Sequence, residues 1–210
     1  MQLLCNIPEL LPQPCVATIG FFDGVHRGHR YLIEQVREVA AAHGFASGVV
    51  TFPVHPRKVV QPEYHPELLT AYEEKVALLA ETGLDYCMML DFTPEVAILY
   101  NIRALVIGYD HRFGHNRSEG FDDYVRYGQE LGIEVILAHA YIDKDVAVSS
   151  SVIRQLLSEG NVSEAASCLG YDYFLNGIVV SGYRVGRKIG FPTANLRVDD
   201  PDKLVPSDGA

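Results

Sequence analysis

The chain has 210 residues, 48% of them hydrophobic, and a formal net charge of −10. That size supports one good core and the beginning of a second, while the acidic balance excludes the basic stripe that a nucleic-acid partner requires. No apolar run approaches the ~18 residues of a membrane span and the N-terminus lacks a basic region followed by an apolar core, so the expected setting is soluble and cytoplasmic, with no membrane partner.

Apolar strand patterns alternate with helical ones along the chain. The spacing predicts a strand over 16–20, a helix over 28–42, a strand over 47–52, a helix over 71–82, strands over 85–90 and 104–108, a helix over 120–131 and a strand over 133–138. Such alternation predicts a parallel sheet covered on both faces, an α/β doubly wound architecture. Thr70 with Glu73 reads as a capping box for the 71–82 helix, and Asn161 with Glu164 as a similar start for a short helix ending at Gly170. Around Tyr171 the pattern becomes β-rich and punctuated by glycine, which predicts two domains, 1–170 and 171–210. The four cysteines, Cys5, Cys15, Cys87 and Cys168, are scattered without C-x-x-C spacing, as expected of reduced thiols rather than a zinc site or disulfide framework.

The chemistry concentrates at residues 19–29, where a buried strand enters a turn carrying two histidines at the mouth of a helix. Gly20 and Gly24 allow the turn, and Gly28 leaves space for a ligand to approach the free amides of the first helical turn, which favour anions. Phe21, Phe22 and Asp23 line the same turn. His26 and His29 are three residues apart, so both imidazoles can face one side and donate to phosphate oxygens. In open α/β sheets such a turn lies at the ligand crevice. Further along, Ser149 or Ser150 can cap a helix that buries Ile153, Leu156 and Leu157, leaving the other hydroxyls of Ser149, Ser150 and Ser151, with Arg154 one turn in, for a triphosphate. Tyr124, Val125 and Tyr127 read as packing, Asp122 and Asp123 as charge at a helix start, His111 and His115 as loop residues without a metal role, and Asp199, Asp200 and Asp202 as a solvated turn.

His26-Arg27-Gly28-His29 resembles the H-x-G-H signature of the nucleotidylyltransferase (HIGH) superfamily, and Ser149-Ser150-Ser151-Val152-Ile153-Arg154 resembles its S-S-[ST]-x-I-R element. Gly186-Arg187-Lys188-Ile189-Gly190-Phe191-Pro192-Thr193-Ala194-Asn195 is similar to the G-R-x-x-G-F-P-T-A-N stretch that opens bacterial riboflavin kinase domains. With Gly108-Tyr109-Asp110-His111-Arg112-Phe113-Gly114 matching V-G-x-D-x-R-F-G, the chain resembles the bifunctional riboflavin kinase/FMN adenylyltransferases, the prokaryotic FAD synthetases, in motif order over nearly its whole length. The resemblance implies a Rossmann-like nucleotidylyltransferase domain followed by the start of a β-barrel riboflavin kinase domain.

It further implies transfer of AMP from ATP to FMN, giving FAD and pyrophosphate, with Mg²⁺ as cofactor and ATP, FMN and riboflavin as small-molecule substrates. His26, His29 and Arg154 would then be catalytic. Gly20, Phe21, Phe22, Asp23, Gly28 and Ser149–Ser151 would bind nucleotide. Thr51, His55 and Arg57, in a stretch resembling T-F-x-x-H-P-R, would bind flavin along with Asp110 and Arg112. In the kinase part, Gly186, Arg187, Thr193 and Asn195 would bind ATP, with Thr193 and Asn195 on Mg²⁺. A neutral ribityl hydroxyl needs a base, and the family's carboxylate lies beyond Ala210, so riboflavin phosphorylation is expected only of a longer protein. Phe21 stands where the family commonly has Asn, and Val96–Arg103 is shorter than the family's helix and connection. Two other readings remain open on the sequence: another small-metabolite nucleotidylyltransferase, and a flavin-binding module without turnover. Oligomeric state has no signal.

Overall fold

The computed structural model describes residues 1–5, 13–55, 57–58, 61, 63–90, 101–109, 120–142, 148–183 and 185–207. Its main sheet is built from β1 (Gln2–Cys5), β2 (Cys15–Ile19), β3 (Ala46–Thr51), β4 (Tyr86–Met89), β5 (Ile102–Ile107) and β6 (Glu134–Leu137), in the order β1-β4-β3-β2-β5-β6. Every pairing in it is parallel. β2, β3 and β4 are buried along almost their whole length, as a parallel sheet with both faces covered requires. Alternate side chains serve opposite faces. Val16, Val49, Cys87 and Met89 join the cluster that contains Ile33, Val36 and Leu79, whereas Cys15, Ala17, Val50 and Met88 enter a second cluster with Leu4 and Ile102.

Helices α1 (Arg27–His43), α2 (Tyr72–Ala80) and α3 (Phe121–Leu131) follow strands as the spacing predicts, and α4 (Ser150–Ser158) and α5 (Val162–Leu169) pack on one another through Ile153, Leu157, Ala165 and Leu169. The chain moves outward from β2 through β3 to β4, then crosses back to place β5 on the other side of β2. The order reverses at the carboxyl end of β2, where the loop to α1 begins, which is the ligand crevice of an open α/β sheet. An antiparallel pair, β7 (Gly177–Val180) and β8 (Asn195–Val198), with the short helix α6 (Val185–Lys188) between its strands, makes up a separate small sheet.

The structure departs from the sequence reading in four places. The edge strand β1, four residues flanked by irregular sequence, has no periodicity long enough to register. The cap of α2 lies one residue later than expected: Ala71 is the N-cap and Glu74 accepts its amide at 2.9 Å, because Thr70 is occupied elsewhere, as described below. Asn161 occupies the N-cap of α5 without capping through its side chain, which turns back to Glu159. The acidic run at 199–202 is not simply solvated: the Asp202 side chain is 11% exposed and ion-paired with Lys58. Most of the short segment 96–103 lies outside the described residues.

α3 rests closely on β6. A Cβ added at Gly128 would lie 2.5 Å from Val135 Cγ2 and 2.7 Å from the Ile133 carbonyl oxygen, so Gly128→Ala forces helix and strand apart. We expect a loss of about 1–3 kcal/mol, measured as a lower denaturation midpoint at unchanged m-value.

Candidate active site

The turn after β2 is set by a left-handed Phe22 (φ 54°) followed by Gly24 (φ 79°). Phe22 is buried in the core, which anchors an otherwise unfavourable backbone. The Phe21 carbonyl accepts from Thr51 Oγ1 and from Lys75 Nζ, both at 3.2 Å, and Lys75 also donates to the Phe52 carbonyl at 2.8 Å. Lys75 stands 4.0 Å from the Phe21 ring centroid. Burial holds its ammonium pKa down at about 8, against the upward pull of Asp23.

Asp23 is the centre of the arrangement. It is 3% exposed, and its carboxylate accepts the Leu69 amide (2.9 Å), the Thr70 amide (3.1 Å), the Thr70 hydroxyl (3.2 Å) and Arg154 Nη2 (2.6 Å). The Thr70 hydroxyl oxygen also accepts the Gly24 amide at 3.1 Å. A threonine with its amide and hydroxyl both committed to Asp23 is not free to cap α2, which explains the displaced cap. Arg154 further donates from Nε to the Glu67 carbonyl at 2.6 Å, so part of its guanidinium is fixed within the protein. Ser149 caps α4, accepting the Val152 amide, and Ser150 donates to the Asp23 carbonyl at 3.0 Å. Ser151 is exposed. Ser149 is thus the cap, as one of the two expected candidates, and Ser150 and part of Arg154 also serve as scaffold, which leaves Ser151 and the remaining guanidinium donors.

His26 is the N-cap of α1, its Nδ1 accepting the His29 amide at 3.3 Å, which leaves its proton on Nε2. The two imidazoles stack at 3.6 Å and 15°, and Phe22 meets His29 edge-on. Gly28 does not leave open space. A Cβ there would lie 3.2 Å from His26 Nδ1 and 3.5 Å from the Val148 carbonyl oxygen, so glycine admits the folded-back His26 ring and brings the starts of α1 and α4 together. Their positive dipole ends share one crevice. Burial, then the Arg154 charge, lowers the His26 pKa to about 4. Burial, then His26 and Lys75, pushes His29 well below the usual imidazole value. Both rings are neutral near pH 7, and His29 Nδ1 is buried without a hydrogen-bond partner among the described residues.

Thr51 and His55 reach the same region, His55 packing edge-on against Phe21 with 4.9 Å between ring centroids. Burial lowers the His55 pKa. Arg57 turns outward, over Tyr64 and onto Gln61. Asp110 and Arg112 lie outside the described residues. Gly186, Arg187, Thr193 and Asn195 form a second group on the β7–β8 unit, with Thr193 beside Gly186 and Asn195 beside Gly182. Lys75 was not singled out by the sequence, which offered Thr70 only as a helix cap and Tyr171, whose hydroxyl donates to the Gly24 carbonyl at 2.7 Å, only as a domain boundary. Lys75 had a legible signal: it shares the i, i+3, i+4 face of α2 with Leu78 and Leu79, and a lysine on a buried face requires a reason.

An FAD synthetase family model matches residues 9–152 and a riboflavin kinase model matches residues 169–210. The chain belongs to the bifunctional riboflavin kinase/FMN adenylyltransferase family. The family member from Escherichia coli K12 is 34% identical over 93% of this chain and 68% of its own length. That from Bacillus subtilis is 30% identical over 92% of this chain and 65% of its own length. A solved Streptococcus pneumoniae structure, described as a macrolide-efflux protein, superposes with a TM-score of 0.81 at 31% identity, covering 94% of this chain and 68% of that one. In this FAD synthetase family member the crevice at the end of β2 therefore falls within the segment matched by the FAD synthetase model.

The buried histidines make stability depend on acidity. His26 has a folded pKa of about 4 against an ordinary value of 6.5, so between those values the unfolded chain binds more protons and stability falls as pH falls. Acidification from pH 6.5 to 4 should cost up to about 3 kcal/mol from His26. Denaturant titrations across that window should show the slope, and His26→Asn, which can still cap, should make it shallower by the His26 share.

Proposed function

We propose that this chain transfers the adenylyl group of ATP to the terminal phosphate of FMN, making FAD and releasing pyrophosphate. The observation that carries the reading is the stacked His26–His29 pair at the start of α1, facing the start of α4 at the sheet's reversal point, in a chain of this family. An FMN phosphate oxygen attacks the ATP α-phosphorus. The new P–O bond forms as the bond to the β-phosphate oxygen breaks, and the electron pair leaves with pyrophosphate. The attacking group is already an anion, its second pKa near about 6, so no base is needed. What is required is alignment and relief of charge. Each neutral imidazole offers one N–H, Ser151 and the outward donors of Arg154 take outer phosphate oxygens, and the dipoles of α1 and α4 favour the anion.

We assign flavin to Thr51, His55 and Arg57, and, on the family motif alone, to Asp110 and Arg112, which lie outside the described residues. Among the described residues no group of three His, Cys, Asp or Glu side chains is placed to hold a metal. The chemistry of the site therefore fits Mg²⁺ carried on nucleotide phosphates and water, where it would neutralise phosphate charge. We take residues 1–170 as the adenylyltransferase domain and 171–210 as the start of the kinase domain. There Thr193 and Asn195 offer neutral oxygens that suit Mg²⁺ only together with phosphates. Among the described residues no helix is long and apolar enough to cross a membrane, and no feature of the site favours efflux. The acidic chain and small-molecule substrates fit a cytoplasmic enzyme without a nucleic-acid partner.

Incubation with ATP, Mg²⁺ and either FMN or riboflavin, with the flavins separated by chromatography, tests the proposal. FAD from FMN supports it, and no FAD from FMN overturns it, with other phosphorylated acceptors then the next to try. His29→Ala should slow adenylyl transfer about a hundredfold or more with a smaller change in FMN affinity. Equal losses in both would contradict the assigned role.

A further inference from the structure

The segment matched to the riboflavin kinase model does not end at the β7–β8 unit. It returns to the adenylyl site. Leu68 pairs with Lys203 in a parallel bridge, with the Leu68 amide donating to the Asp202 carbonyl at 2.7 Å and the Leu204 amide to the Leu68 carbonyl at 2.8 Å. Lys203 is 5% exposed, and its ammonium donates to the Leu69 carbonyl at 2.7 Å and to Glu74 Oε2 at 2.6 Å. Glu74 is itself a junction, capping α2 through the Ala71 amide and accepting from Asn176 at 2.9 Å, just before β7. Leu204 is buried beside Leu69, Leu157 and Leu169.

The segment from Glu67 to Thr70 is thus held from two sides. One side supplies the amides and hydroxyl that bind Asp23 and the Glu67 carbonyl that receives Arg154. The other is tied to residues 202–204. Residue Leu69 sits in both sets, its amide on Asp23 and its carbonyl on Lys203. A buried ion pair is a poor source of stability, because desolvation offsets the attraction. Its geometric effect is direct: it fixes where the Leu69 and Thr70 amides stand, and so where Asp23 and Arg154 stand.

We propose that Lys203, supplied by the kinase-matched segment, is a positioning residue for adenylyl transfer, acting through Leu69 and Glu74 on the segment 67–70 that sets Asp23 and Arg154. The inference rests on the adenylyltransferase reading above. It implies that the two modules are not merely tethered, since the second completes the frame of the first.

The test compares wild type with Lys203→Met and with the double variant Glu74→Gln/Lys203→Met, which removes the unpaired carboxylate that the single change leaves behind. Gly128→Ala, remote from the site, serves as a control for lost stability alone. All are measured well below their unfolding transitions. Positioning predicts that kcat/KM for ATP falls about tenfold or more in both Lys203 variants. It also predicts faster amide exchange at Leu69 and Thr70, read by NMR, with neither change in Gly128→Ala. Wild-type kcat/KM and exchange in the double variant would overturn it, as would equal losses in Gly128→Ala. If wild type forms no FAD from FMN, the adenylyltransferase reading falls instead. Amide exchange then decides the positioning alone: faster in both Lys203 variants supports it, and unchanged overturns it.

Discussion

A carboxylate removed from water holds this molecule together. A buried carboxylate needs donors around it, and among the described residues those of Asp23 come from distant parts of the chain: the Leu69–Thr70 segment and Arg154 of α4. Satisfying that one group places the start of α4 against the start of α1, because Arg154 and Ser150 both belong to α4 while Asp23 immediately precedes α1. The crevice between the two helix starts is a by-product of solving Asp23's desolvation.

The same economy explains the state of the histidines. His26 is folded back as a cap, Gly28 gives it room, and burial first, with the neighbouring Arg154 charge at His26 and the His26 and Lys75 charges at His29, keeps both rings neutral. Cations already line the crevice, so a further positive charge on the imidazoles is disfavoured until an anion arrives. In the proposed transfer the rings would serve as oriented donors, with the fixed positive ends of two helices favouring the phosphate charge.

Much of the fold was legible because it rests on periodicity. The strands of the parallel sheet and α1 to α3 appear where alternating apolar spacing places them, and the motif residues His26, His29 and Arg154 are gathered at one end of the sheet. The less legible parts depend on partners distant in sequence. Thr70 looks like a cap until Asp23 claims it. Gly28 looks like space for a ligand until the His26 ring fills it. Asp202 reads as a solvated acid in a turn, because nothing near it in sequence announces Lys58. Lys203, likewise, is an ordinary surface-type residue unless its neighbours in space are known.

The spacing of Asp23's contacts also bears on how the molecule assembles. Its partners lie 46, 47 and 131 positions away, and the Tyr171 hydroxyl reaches Gly24 across 147. Each such closure must be reached against chain entropy before it gives anything back. A nascent chain can form β2, β3 and α1 early, yet it carries an unsatisfied carboxylate until α4 has been made and docked. The crevice is therefore the last part of the domain to mature, and a chain interrupted before α4 holds the two histidines without the frame that aligns them.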